Sequence, residues 1–148
     1  MSLTEKLQED MKLAMKSKDA SRLSTIRLLR SSVSYAQINK GGELTDDEVL
    51  EVLSREAKRR KEAIEAAEAG GRSDVAERER AELDIINEYL PKQLDEAEIE
   101  AIAREIAAEV GAREPKDRGK VMGQLMQRIR GRADGKLASL VVDKILRG

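Results

Sequence analysis

Apolar residues recur every three or four positions along almost the whole chain, which is the period of an amphipathic α-helix. The most regular stripe runs through Ile99, Ile102, Ala103, Ile106 and Val110. Residues typical of helix starts precede most stripes, and glycine or proline follows most of them. The pattern predicts seven helices, with starts near Ser2, Asp19, Thr45, Ser73, Asp95, Pro115 and Gly135.

The pair Leu90-Pro91 separates the first four predicted helices from the last three. A residue that precedes proline disfavours the α conformation, so a helix ends here. We therefore predict an all-α protein. An N-terminal four-helix bundle-like domain is expected over residues 1–91, and a small three-helix C-terminal domain over residues 92–148.

The composition removes several kinds of chemistry. The chain has no Cys and no His, so disulfides, thiolate or imidazole metal sites and Ser-His-Asp triads are excluded. Its 29 Asp and Glu lie on predicted helix surfaces, where a carboxylate is far more often a salt-bridge partner than a ligand. We expect no catalytic residue, no metal site and no cofactor.

The chain contains no apolar run of the ~18 residues that would suggest a membrane span. The start Met-Ser-Leu-Thr-Glu-Lys does not have the pattern of a secretory signal peptide. We therefore predict a cytoplasmic protein without a membrane partner.

The charge reverses between two neighbouring segments, although the net charge is only −1. Residues 88–109 hold seven acids and two bases, whereas residues 116–136 hold seven bases and two acids. Such a reversal is typical of a chain with one anion-facing surface. The candidate residues for this surface are Arg118, Gly119, Lys120, Gly123, Arg128, Arg130, Arg132 and Lys136.

Gly119 and Gly123 are unusual within a helix, because each costs about 1 kcal/mol relative to Ala. Their four-residue spacing suits close packing of another helix or the approach of a sugar-phosphate backbone, and both interpretations remain open. The near absence of aromatic residues disfavours stacking on single strands. A nucleic-acid partner would be structured RNA held by its backbone, and DNA is not expected.

The second predicted helix carries a mixed face beside its main apolar stripe. Ser24, Leu28, Ser31 and Tyr35 fall within about 60° of one another at 100° per residue. This face contacts either a neighbouring helix or a partner protein, for which Leu28 and Tyr35 would be the contact residues.

The third predicted helix contains the densest basic cluster in the chain, between Arg55 and Lys61. Acidic residues lie three or four positions from these bases, so the charges can pair along the helix. We interpret this cluster as a solvated face that neutralises itself.

Several blocks of sequence together resemble the YqeY family over essentially the full chain. They are Met15–Asp19, Arg22–Leu29, Glu88–Leu94, Gly119–Gly123 and Gly131–Gly135. The C-terminal half is also similar to the tail domain of GatB, the tRNA-binding subunit of the glutamine-dependent amidotransferase. The resemblance implies a helical bundle followed by a three-helix domain, a tRNA-related role, and a family label of carbon-nitrogen ligase activity with glutamine as amido donor.

On this basis the expected function is that of a tRNA-binding accessory protein of a tRNA-dependent amidotransferase or synthetase, non-catalytic by itself. The expected partners are a tRNA, with tRNA(Gln) as a candidate, and tRNA-charging or amidotransferase proteins. One alternative is a component of a carbon-nitrogen ligase, and another is a helical protein-protein adaptor.

Overall fold

The computed structural model describes residues 1–147, and within them the regular structure is entirely helical. The prediction of an all-α protein is thus confirmed. The seven α-helices are α1 (Leu3–Lys16), α2 (Ala20–Lys40), α3 (Asp46–Ala69), α4 (Ser73–Asn87), α5 (Glu96–Val110), α6 (Arg118–Ile129) and α7 (Gly135–Leu146). A 3-10 turn, Pro115–Asp117, precedes α6. None of the helices in this part of the chain has the length and apolar content needed to cross a membrane.

Most helix starts follow from local sequence. The Thr45 side chain accepts a hydrogen bond from the Glu48 N–H, and the Glu48 carboxylate accepts one from the Thr45 N–H. Asp95 and Glu98 repeat this reciprocal arrangement at α5. Such boxes satisfy N–H groups that have no partner in the first turn. The start predicted near Ser73 is confirmed, although the preceding residue, Arg72, makes no side-chain cap.

Contacts within the chain define a first compact unit, Met1–Leu90, which contains α1 to α4. Its core is formed by aliphatic side chains from all four helices. Those with at most 1% exposure include Leu7, Ile26, Leu29, Leu53 and Ile86. Burying these stripes stabilises the helices more than their intrinsic propensity does.

The second compact unit, Pro91–Gly148, contains α5 to α7 around its own core. Ile99, Ile106, Leu125 and Ile129 have no exposed surface. The segment before α5 is held at the turn between α6 and α7, because the Leu94 N–H donates to the carbonyl of Arg132 over 2.7 Å. The Gln93 amide similarly donates to the Gly131 carbonyl over 2.9 Å.

A buried polar cluster lies between α2, α3 and α4. Glu56 pairs with Arg59 over 3.2 Å and with Arg60 over 3.0 Å, which confirms pairing along α3. The expectation that this whole face is solvated was wrong for two of these residues, since Glu56 is 4% and Arg60 is 8% exposed. Packing of α4 against α3 covers them, and Glu82 on α4 accepts from Arg60 Nε over 2.8 Å.

Candidate functional site

Three of the basic side chains predicted to face an anion, Arg118, Lys120 and Arg128, pair with acids of the C-terminal unit. Arg118 Nε lies 2.8 Å from Asp143 Oδ1 on α7, and Arg118 Nη2 donates to the Ser139 hydroxyl. Lys120 Nζ lies 3.8 Å from Asp117 Oδ1. The Asp117 pKa is lowered, mainly by hydrogen bonds from the backbone N–H groups of Arg113 and Glu114, so this carboxylate stays charged.

Arg128 is engaged by the acidic face of α5. Its guanidinium lies 3.0 Å from Glu109 and 3.6 Å from Glu105. Arg130 also interacts within the chain. The basic segment and the acidic segment that precedes it therefore lie against each other. The assignment of Arg118, Gly119, Lys120, Gly123, Arg128, Arg130, Arg132 and Lys136 to RNA binding stays a prediction, and these pairs lend it no support.

Gly119 and Gly123 lie on the open side of α6. Both residues are exposed, and no described atom lies within 4 Å of the position that a Cβ would occupy at either of them. Within the described residues, no other helix packs on the two glycines. The interpretation that they allow close helix packing inside this chain is therefore wrong.

The mixed face of α2 is exposed to solvent. Leu28 is 42% and Tyr35 is 68% exposed, so neither is covered by a neighbouring helix of the described chain. Ile38, which sequence reasoning did not single out, is 77% exposed. It lies three residues after Tyr35 on an adjoining part of the helix surface. This spacing is the signal that could have identified it. We refer to Leu28, Tyr35 and Ile38 as the apolar ridge.

Two open hollows adjoin this ridge, one on each side of Tyr35. The first, of about 570 Å³, is also lined by Met11 of α1 and by Ile38. The second, of about 530 Å³, lies between α2 and α3 and is also lined by Val52. A third hollow of about 450 Å³ adjoins Ile38 and the glycines that end α2. The ridge therefore stands between concave surfaces that can receive side chains.

Arginines line both of the first two hollows. Arg27 and Arg30 line the first, and Arg55 and Arg59 line the second. Neither Arg27 nor Arg55 makes an ion pair with any residue of the described chain. Arg30 Nη1 lies 3.0 Å from Met11 Sδ, a weak acceptor that leaves its charge unbalanced. The surface around the ridge is consequently basic.

The Glu88-Tyr89 block, which contributed to the family resemblance, has a structural role. Arg22 donates to both oxygens of Glu88 over 2.8 and 3.0 Å, and this pair lowers the Glu88 pKa. The Tyr89 hydroxyl donates to Asp10 over 2.5 Å. The Tyr89 pKa is raised, mainly because the phenol is buried and secondly because of this hydrogen bond. The block thus ties the end of α4 to α1 and α2.

The described residues contain no group of three or more Asp or Glu placed to hold a metal ion. Several acidic side chains instead cap helices or pair with Lys and Arg. The Glu48 carboxylate accepts hydrogen bonds from the Lys40 ammonium and from the Thr45 N–H. Together they lower the Glu48 pKa to about 2, and the bond from Lys40 has the larger effect.

Comparison with known proteins gives one family and several relatives. The sequence profile described as Yqey-like protein matches residues 4–146. The chain is 30% identical to "Altered inheritance of mitochondria protein 41, mitochondrial" of Pyrenophora tritici-repentis, over 95% of this chain and 79% of that protein. It is 36% identical to the protein of the same name from Lachancea thermotolerans, over 74% of this chain and 60% of the relative. An uncharacterized protein of Schizosaccharomyces pombe is 34% identical over 53% of this chain and 64% of its own length.

These relatives correct two predictions. The predicted role in tRNA binding and amidotransfer was wrong, because the relatives are named for mitochondrial inheritance and indicate neither function. That prediction extended the function of a larger assembly to this chain through the likeness of a short helical domain. The prediction of cytoplasmic residence was also wrong, since the same relatives are named mitochondrial. It rested on the lack of an apolar signal peptide, whereas mitochondrial transit peptides are amphipathic.

Proposed function

The chain belongs to the YqeY family, and we propose that it acts as a helical protein-protein adaptor whose partner binds the apolar ridge of α2. In this proposal the N-terminal unit is the four-helix bundle-like domain of residues 1–91, and it carries the ridge. The C-terminal unit is the small three-helix domain of residues 92–148.

The observation that carries the proposal is the exposure of three large apolar side chains on one helix. Leu28, Tyr35 and Ile38 lie within eleven consecutive residues of α2. Single exposed apolar residues are ordinary, whereas three on one side of a helix beside concave surfaces are typical of an interaction site. Tyr35 adds to this interpretation because an aromatic ring offers a large contact area and its hydroxyl can still hydrogen-bond at the rim.

The geometry of the ridge is also suitable for binding. Buried neighbours on the opposite side of α2, Ile26, Leu29 and Val33, hold the helix in place. A partner would therefore meet a preformed surface and would not have to order it, which lowers the entropic cost of association.

The test is quantitative capture of partners from cells with the tagged full-length chain. Tyr35→Asp places a charge in the middle of the ridge, and we expect it to weaken the captured complex by at least about 10-fold. Leu140→Asp is the matched control, because Leu140 is also exposed, at 59%, but lies on α7 in the other unit.

The expected result is a protein that binds the wild-type chain and Leu140→Asp equally and is lost from Tyr35→Asp, while circular dichroism shows all three chains equally helical. If every captured protein binds Tyr35→Asp as well as the wild type, the ridge is not the partner surface and the proposal is rejected.

A further inference from the structure

The charge on α2 is one-sided. The helix has 21 residues, among them Arg22, Arg27, Arg30 and Lys40, and it contains no acidic residue. The outer two bases are neutralised, because Arg22 pairs with Glu88 over 2.8 Å and Lys40 with Glu48 over 2.6 Å. The inner two lie beside the ridge without a carboxylate partner in the described chain.

The arginines flank the ridge on both sides. Tyr35 lines both principal hollows, with Arg27 and Arg30 in the first and Arg55 and Arg59 in the second. Arg59 already contacts Glu56, yet its side chain is 71% exposed and can reach a second acceptor. An occupant of the ridge would thus meet apolar contacts along the centre and positive charge along both edges.

We propose that the partner segment is an acidic amphipathic helix, which places its apolar stripe on Leu28, Tyr35 and Ile38 and its flanking carboxylates on the two arginine edges. This inference rests on the proposed adaptor function. The ridge spans ten residue steps, or about 15 Å of helix axis, so the partner helix needs about three turns. Apolar residues at positions i, i+3 or i+4 and i+7 of the partner helix would then contact the ridge, which is the spacing used in helix-in-groove complexes.

Two other occupants fit this surface less well. A second copy of the chain, bound through the same face by a two-fold axis, would bring the arginines of one α2 against those of the other. A nucleic acid would satisfy the arginines but would leave Leu28 and Ile38 without an apolar partner. The ridge and its charged edges are complementary together only to a segment that is apolar on one side and acidic at its flanks.

The experiment selects random 18-residue peptides from a display library on the immobilised full-length chain. The selected peptides are then titrated as fluorescent synthetic peptides against three proteins. These are the wild type, the edge variant Arg27→Glu/Arg55→Glu and the control Arg72→Glu/Arg78→Glu. Both double variants change the net charge by −4, and all four arginines are exposed and lie in the N-terminal unit. Tyr35→Asp is titrated beside them.

The selected peptides are expected to be acidic, with apolar residues at helical spacing. Their affinity should fall about 10-fold or more in the edge variant and change less than about 3-fold in the control. Affinity should also decrease as salt rises, because the edge contacts are solvent-exposed. A second selection on the edge variant should enrich basic peptides.

The outcomes separate this inference from the function on which it rests. Peptides that are neutral or basic, yet lose binding in Tyr35→Asp, would refute the acidic partner and keep the adaptor surface. Peptides that bind Tyr35→Asp unchanged would refute both. Dimerisation of the chain in sedimentation that Ile38→Asp abolishes, or duplex RNA binding that the edge variant abolishes while Ile38→Asp leaves it intact, would likewise overturn the acidic helix.

Discussion

Arg60 tests whether buried charge holds the N-terminal unit together. Its guanidinium reaches Glu56 on its own helix over 3.0 Å, and Glu82 and Glu79 on α4 over 2.8 and 3.6 Å. The Glu56 side chain is only 6% exposed and also accepts a hydrogen bond from the Ser32 hydroxyl. Arg60→Met keeps a long apolar stem in this space and removes the charge.

The cost should come mainly from Glu56. Removing one partner of a buried ion pair costs about 3–5 kcal/mol, because the other charge remains buried without compensation. Glu79 and Glu82 are 27% and 35% exposed, so solvent screens them. We expect each to contribute less than about 1 kcal/mol. Glu56 keeps its hydrogen bonds from Ser32 and Arg59, which favours the lower end of the range. The free energy of unfolding should fall by about 3 kcal/mol at pH 7.

The assay is urea unfolding followed by tyrosine fluorescence. Tyr35 and Tyr89 both belong to the N-terminal unit and the chain has no Trp, so the signal reports on that unit. With a urea m-value of about 1.5 kcal/mol/M, the midpoint should decrease by about 2 M.

The control for this change is Glu56→Gln/Arg60→Met, which removes both charges and keeps an acceptor for Ser32. It should recover stability to within about 1 kcal/mol of the wild type, because no buried charge is left unpaired. A loss of less than about 1 kcal/mol in Arg60→Met, or a double variant less stable than the single one, would refute the reasoning.

Three further predictions concern titration and backbone freedom. The raised Tyr89 pKa means that its neutral phenol stabilises the fold fully below pH 10.0, and this contribution is lost at higher pH. Tyr89→Phe should therefore flatten the alkaline decline in thermal stability, and an unchanged decline would contradict this. The Glu48 pKa of about 2 implies a contribution that is present above pH 4.5 and lost as the pH falls towards 2, so Glu48→Gln should show a smaller acid loss in urea titrations. Gly123→Ala should stabilise the C-terminal unit by about 0.5–1 kcal/mol in amide hydrogen exchange, because a Cβ there meets open space, and a destabilised unit would refute it.

Sequence reasoning was most accurate where structure depends on near neighbours. The stripe of α5 is buried as its spacing predicted, with Ile99, Ala103 and Ile106 fully covered. The αL glycine Gly111 ends that helix, with φ 70°. Caps, stripes and glycine stops act over three or four residues, so they can be recognised without knowledge of the rest of the chain.

Charge was harder to interpret than helix formation. The basic segment around α6 was predicted to face an external anion, but Arg128 contacts Glu105 and Glu109 on α5. The linear sequence shows the charge reversal and cannot show that the two helices pack together. The opposite error concerned Glu56 and Arg60. They were expected to be solvated, but the packing of α4 against α3 buries them.

The order of elements, the all-helical class and the helix ends follow from the amino-acid sequence, because they depend on local backbone preferences and on the 3.6-residue period. Which charges remain available to a partner depends on long-range packing. Tyr89 reaches Asp10 across 79 positions, and Arg22 reaches Glu88 across 66. Arg27 and Arg55 meet no carboxylate of the described chain. Folding brings acids to some arginines and leaves others exposed beside Tyr35, and the proposed acidic partner depends on those that it leaves.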